Sequence, residues 1–154
     1  MVSSDLRRQW ITAMIVLGVA GCGVSGPERS LDRFNEAKRL WDRENPSNYA
    51  VTVQRLCFCA SVEAVRIVVA NRQVITRTVV ATQQPLPANL NDLYPDIPGL
   101  FAIIKEALVR ADAVNVSFDG QYGFPSDATI DYIKNAIDDE LSLKATAFVI
   151  LPIP

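Results

Sequence analysis

From Asn48 to Thr82 the chain alternates apolar and polar residues through three consecutive stretches rich in Val, Ile and Thr. Tyr49, Val51 and Val53 share one face of the first stretch, Asn48–Leu56. Val65, Ile67 and Val69 share one face of the second, Val62–Ala70, and the third is Gln73–Thr82. A period of two belongs to strands that bury one face and wet the other, and β-branched residues suit that pleated surface. Asn71-Arg72 falls between the second and third stretches as a tight turn, because Asn tolerates the left-handed conformation. Strands joined by so short a turn must run antiparallel.

The flanking segments carry helical spacing. Leu31, Phe34, Ala37 and Trp41 recur every three or four residues, which predicts a helix from an N-cap at Ser30 to about Glu44. Asn45-Pro46 stops it, since a proline disfavours helix in the residue before it. Residues Gln83 to Asp96 read as a Pro- and Asn-bearing loop crossing the surface. A second helix starts near Pro98 behind an Asp96 cap, with Leu100, Phe101, Ile104, Ala107 and Leu108 on its apolar face. Strands are then expected over Ala113–Phe118, Asp127–Ile133 and Leu141–Ile150. The order is helix and three strands, twice. The expected fold class is α+β: an antiparallel sheet with two helices on one face, and a tandem helix-strand-strand-strand duplication suggested by the order.

Ahead of all this, Arg7 and Arg8 precede the apolar run Trp10–Val19, and Ala20-Gly21-Cys22 follows. A basic start, a short apolar core and a small-residue cleavage site make a secretory signal peptide. The apolar run is too short to span a bilayer, which takes about 20 residues. A cysteine directly after Ala-Gly makes the site look like a bacterial lipobox, in which the Cys22 thiol takes a diacylglyceryl group and acyl (palmitate) chains. Buried methylenes then anchor the protein at roughly 0.8 kcal/mol each. The expected organisation is signal peptide 1–21, tether 22–29 and a single domain 30–154. The 133 residues left after cleavage suffice for one core.

Histidine is absent, which excludes Ser-His-Asp and Cys-His catalysis and every His-ligated metal site. A net charge of −2 leaves no electrostatic footprint for nucleic acid. The sharpest remaining feature is Cys57-Phe58-Cys59. Both thiols fall on the side of Val51 and Val53 if the segment stays extended. An oxidising compartment favours a disulfide there, although an i,i+2 bridge closes a minimal loop and sits near the upper distance limit. Redox-active thiols or a two-thiolate Cu(I) site are the alternatives, with Arg55 as the nearby cation. Tyr122-Gly123-Phe124-Pro125 reads as a turn steering the next strand. An exposed Tyr122–Phe124 pair would instead be a recognition patch. Asp119, Asp131, Asp138, Asp139 and Glu140 supply carboxylates for a hard cation or an acid–base pair, but their spacing fits no calcium-loop motif.

Several of these signatures together resemble a family of bacterial lipoproteins built on a domain of unknown function. The residues that carry the likeness are Tyr49, Cys57-Phe58-Cys59, Leu100-Phe101 with Ile103-Ile104, and Val114, Val116, Phe118 and Asp119. Tyr122-Gly123-Phe124-Pro125 leading to Ile130-Asp131, and then Asp139-Glu140, complete them. The likeness spans Tyr49 to Phe148 and rests on order and spacing. Members carry an Asp-Gly turn where this chain has Asn71-Arg72-Gln73. The resemblance implies fold and address, and no activity.

The expected role is therefore a membrane-tethered protein-binding or scaffold module of the cell envelope, lipid-anchored to the bacterial cell membrane or outer membrane. Its partner would be an envelope protein; no cofactor, resident metal or nucleic acid is expected, and no catalytic constellation stands out. A thiol-based redox or metal-handling lipoprotein using Cys57 and Cys59 is the alternative. Carriage of an apolar ligand between sheet and helices is a third, for which Val, Ile and Phe richness speaks.

Overall fold

The computed structural model describes residues 27–44, 46–57, 63–136 and 139–152. The leader, Cys22, most of the tether, Phe58, Cys59, Val62 and Asp138 lie outside the described residues.

Among the described residues two α-helices, α1 (Pro27–Glu44) and α2 (Ile97–Arg110), accompany six strands. These are β1 (Tyr49–Leu56), β2 (Ala64–Ala70), β3 (Gln73–Val79), β4 (Ala113–Phe118), β5 (Pro125–Asp131) and β6 (Glu140–Ile150). They form one sheet in the order β3-β2-β1-β6-β5-β4, every neighbouring pair antiparallel. The fold is mixed α+β. The two strand triplets meet at β1 and β6, so the last strand in the chain closes against the first. A two-fold axis between those strands would exchange β3 with β4, matching a third strand with a first rather than like with like.

Period-two burial holds as the sequence demands. Val51, Val53, Val65, Ile67 and Val69 are buried, while Thr52, Gln54, Arg66 and Val68 between them are not. The buried residues of β4, β5 and β6, with Phe34 and Trp41 of α1 and Leu100, Phe101 and Ile104 of α2, enter the same cluster. Aromatic rings knit it: Phe34 meets Phe101 edge-on at 5.7 Å, and Trp41 meets Tyr49 at 5.5 Å. Such pairs contribute about 0.5–1.5 kcal/mol beyond their buried area.

Local expectations are corrected at several points. Helix α1 begins at Pro27, whose fixed φ suits a first turn, so Ser30 lies inside the helix rather than capping it. Leu31 is exposed and Leu108 only half-buried, each at the margin of its apolar stripe. Strand β3 ends at Val79 and β5 starts at Pro125, two residues earlier than alternation alone places it. The 83–96 connector is more than a surface loop. It pairs with the outer edge of β3 through a Thr78–Pro85 bridge and turns through a short 3₁₀ helix, Ala88–Leu93. Leu86 and Tyr94 are buried, and the Tyr94 carbonyl accepts from Arg77 Nε at 2.8 Å. Asp96 caps α2 as expected, accepting from the Gly99 N–H at 3.1 Å.

Two turns depend on left-handed backbone. Asn71 and Arg72 both have positive φ, 50° and 61°, the primed geometry that matches the twist of a hairpin. Asn48, buried beneath this turn, accepts from the Asn71 N–H at 2.8 Å, and the Ser47 carbonyl accepts from the Arg72 N–H at 2.9 Å. Those bonds hold a non-glycine pair where the family resemblance implies Asp-Gly. In β6, Ala147 (φ 49°) forms a bulge against β1, and the alternation Leu141, Leu143, Ala145 resumes out of phase at Phe148. Arg66 Nη1 reaches across β1 to the Ala147 carbonyl at 2.5 Å. The bulge thereby turns Phe148 toward Phe124 (4.8 Å), Tyr122 (5.0 Å) and Tyr49 (5.5 Å).

Candidate functional site

Cys57 stands one residue past the end of β1. It is half-buried and packs against the core cluster, on the side of Val51 and Val53. Arg55 shares that side, and its Nε donates to the Cys57 sulfur at 3.3 Å. The Arg55 charge also acts on Tyr132, in the turn after β5, whose hydroxyl donates to Glu106 Oε2 at 3.0 Å. Glu106 in turn faces Arg110 at 3.5 Å. Burial first, then the Glu106 hydrogen bond and charge, push the Tyr132 phenol above its ordinary value. The end of β1 is thus tied electrostatically to the last turns of α2. Cys59 lies outside the described residues, so the distance between the two sulfurs is not part of this geometry.

Among the described carboxylates Asp119 stands apart, while Asp131 stands opposite Glu140 at the β5–β6 end, next to Asp139. Asp119 closes the turn after β4, its Oδ1 accepting from the Gln121 and Tyr122 N–H groups at 3.0 and 2.7 Å. Asp139 Oδ2 accepts from the Ile133 N–H at 2.5 Å, and Asp112 Oδ2 from the Lys134 N–H at 2.7 Å. Asp131 Oδ1 and Asp139 Oδ1 are buried oxygens without a hydrogen-bond partner. Among the described residues, no group of three or more Cys, Asp or Glu is placed to hold a metal ion.

Tyr122 and Phe124 do not form an exposed patch. Phe124 is buried and Tyr122 half-buried, both against Phe148. The turn is needed for packing: Gly123 has φ 78°, and its N–H donates to the Asp119 carbonyl at 2.9 Å. Beside it, Arg33, Glu36, Phe118 and Asp119 line an open cleft of about 260 Å³ between α1 and the turn. Between α2 and the sheet, where Leu100 and Ile104 meet Ala128 and Leu143, no volume remains for a water molecule. That packing leaves no room there for an apolar cargo.

At the other end of β1, Tyr49 is buried, and its hydroxyl accepts from the Ile97 N–H at 3.4 Å. Desolvation and then the nearby Asp96 charge raise its pKa well above the ordinary phenol value. The neutral ring therefore serves as an acceptor at the start of α2.

The outward face of the sheet is polar and ordered by register. Thr52 stands opposite Arg66 on one side and Thr146 on the other. Asp127 stands opposite Lys144, with a 3.5 Å ion pair, and Thr129 opposite Ser142. Alternation made the wetted face foreseeable. The pairing of Thr52 with Thr146 was not, because it requires β6 beside β1.

Among the described residues no helix is long and apolar enough to cross a membrane. No curated protein and no solved structure matches the chain. One family model, described as a family of unknown function (DUF6174), matches residues 33–150, which takes in the whole sheet and most of α1. The chain therefore belongs to DUF6174, a family of unknown function.

Proposed function

We propose that this protein is a lipid-anchored module of the bacterial cell envelope that binds another envelope protein through the outward face of its sheet. In this reading residues 1–21 are a signal peptide, Cys22 carries the lipid, and 30–154 is the single folded domain. Both helices lie on the core side and, among the described residues, leave the other face free. The observation that carries the reading is the register of that face. Thr52, Arg66 and Thr146, with Asp127, Thr129 and Lys144, spread exposed or half-exposed polar groups across β2, β1, β6 and β5. Little of this surface is spent on the fold, apart from Arg66 holding the Ala147 carbonyl and the exposed Asp127–Lys144 pair. Exposed pairs of that kind contribute only about 0–1 kcal/mol to stability, so exchanging them for a partner costs little.

Photocrosslinking in intact cells tests it. A crosslinker at Thr52 and another at Thr146 should give an adduct of the same mass, while one at Lys105 on exposed α2 surface should not. The added Arg66→Glu change should abolish the adduct. Adducts equally strong from all three positions, or from none, would count against the sheet face.

The Arg55–Cys57 contact favours a second reading, a thiol–disulfide centre. A cation held 3.3 Å from sulfur would ease departure of that sulfur as thiolate when a disulfide is attacked. Here the glutathione equilibrium potential decides. A value near −200 mV supports exchange chemistry, and one below about −300 mV supports a structural Cys57–Cys59 bridge.

A further inference from the structure

The open sheet has two edges, β3 and β4, and the chain protects them unequally. Strand β3 carries one extra residue, Ile75, between Val74 and Thr76, which stand opposite Val69 and Val68. The 83–96 connector then bonds along its outer side. The Arg77 carbonyl accepts from the Leu86 N–H, and the Val79 N–H donates to the Gln84 carbonyl, both at 2.9 Å. A bulge and a covering segment are among the devices that keep a sheet edge from pairing with another chain.

Strand β4 lacks both. Ala113–Phe118 reads Ala-Val-Asn-Val-Ser-Phe, without charge, Pro or Gly, and its register with β5 is unbroken as far as Ser117. Among the described residues no strand pairs with its outer side. Two bonds show which backbone groups face outward. The Ser117 carbonyl accepts from Ser126 Oγ of β5 at 3.2 Å, so Ser117 points toward β5. The Val116 carbonyl accepts instead from Arg33 Nη2 of α1 at 3.3 Å. Along an antiparallel strand, successive residues turn their N–H and C=O alternately to one side and the other. Val114 and Val116 therefore present both groups to the open edge, where among the described residues Arg33 alone bonds to them.

This edge suits a copy of itself. Ala113-Val114-Asn115-Val116-Ser117 reads almost the same in both directions about Asn115. An antiparallel two-fold through Asn115 sets Val114 of each copy against Val116 of the other, and the outward groups of both pairs exchange hydrogen bonds. Asn115 meets Asn115 between them, two exposed carboxamides that can bond to each other. Charge agrees with that register. Asp112 of one copy falls opposite Phe118 of the other, and Arg33 lines the cleft beside Phe118. A carbonyl oxygen has two lone pairs, so Val116 can keep Arg33 while accepting the incoming N–H.

We infer that two copies of this protein pair through β4, antiparallel about Asn115, and join their sheets into one continuous sheet. The occupant of the edge is a second copy of this chain. Such an interface uses the same strand of both copies and closes on itself, so it consumes the unprotected edge and stops at the dimer. The outward faces of the two sheets then run together. The pairing does not depend on what that face binds, nor on the lipid anchor.

The test uses the full chain purified in detergent, mildly oxidised and run on a non-reducing gel, with wild type reading the background of the native cysteines. In Asn115→Cys the new thiols stand at a non-hydrogen-bonded pair, their Cα atoms about 4.5 Å apart, within reach of a disulfide. In Ser117→Cys they stand roughly 14 Å apart, beyond it. Both positions are exposed, so neither change disturbs the fold. Asn115→Cys should give at least about fivefold more disulfide-linked dimer than Ser117→Cys or wild type. Mixing Ala113→Cys chains with Ser117→Cys chains should restore the dimer, because those residues face each other across the two-fold. Equal yields from Asn115→Cys and Ser117→Cys, or no dimer above wild type from Asn115→Cys, would overturn the pairing. A dimer from Asn115→Cys that the mixture fails to reproduce would place the strands in another register and overturn the two-fold about Asn115.

Discussion

Gly123 lies so close to Ala37 that a Cβ placed on it would stand 2.3 Å from the Ala37 carbonyl oxygen. The contact joins the turn after β4 to the middle of α1, and it brings Phe124 into the aromatic cluster around Phe148. Gly123→Ala would pay the left-handed penalty of about 1–2 kcal/mol and an overpacking cost of about 1–3 kcal/mol. The expected loss is about 2–5 kcal/mol in urea denaturation with an unchanged slope. A midpoint equal to wild type would mean that helix and turn do not meet.

Phe101 is the hinge between the helices and the sheet, meeting Phe34 at 5.7 Å and Phe118 at 6.3 Å. It is almost wholly buried. Phe101→Ala should cost about 3–5 kcal/mol. Val109→Ala, on the exposed side of the same helix, should change stability by less than about 0.5 kcal/mol. Similar losses at both positions would contradict the described face of α2.

How far these features could be read in advance depended on the range of the interaction. Strand β4 and the capped start of α2 follow from local pattern, since alternation and an Asp two residues before a Pro act within a few residues. The 83–96 connector was hidden by its prolines and asparagines, although Leu86, Leu90, Leu93 and Tyr94 recur at helical spacing and do pack on the core. The β6 bulge also left a trace, because Phe148 breaks the phase of Leu141, Leu143 and Ala145. The Arg55–Cys57 contact was legible, as residues two apart on a strand share a face. The bond from Tyr132 to Glu106 crosses 26 positions, and no local rule reaches it. The same holds for the outward face, whose width depends on β6 returning beside β1.

Tyr49 makes stability sensitive to high pH. Its neutral phenol is held by burial beside Asp96, so the folded state keeps a proton that the unfolded chain releases near pH 10. The stabilisation is therefore complete below about pH 10 and is lost as pH rises toward the folded value. Tyr49→Phe should lose about 1 kcal/mol at neutral pH by leaving the Ile97 N–H without its acceptor. Above pH 10 the variant should lose stability less steeply than wild type. Parallel curves across that range would show that the phenol does not titrate with folding.

Cys57 and Cys59 are expected to be structural. Replacing both by Ser should shift stability by about 1.5 kcal/mol or less, the contribution of a minimal loop, and should leave the Thr52 crosslink intact. Native mature domain should alkylate slowly, and quickly only after unfolding with reduction. Rapid labelling of the folded, untreated protein would promote the thiol-exchange reading that Arg55 favours.

Residence on a membrane through Cys22 is the claim on which the envelope role depends. The most direct measurement is the intact mass and fractionation of the protein expressed with its own leader, beside Cys22→Ser. The account predicts a mature chain that begins at a diacylglyceryl-modified Cys22 and sediments with membranes. The variant should be soluble or retain residues 1–21. A wild-type chain that keeps its leader or carries an unmodified Cys22, with the same membrane fraction in the variant, would contradict it.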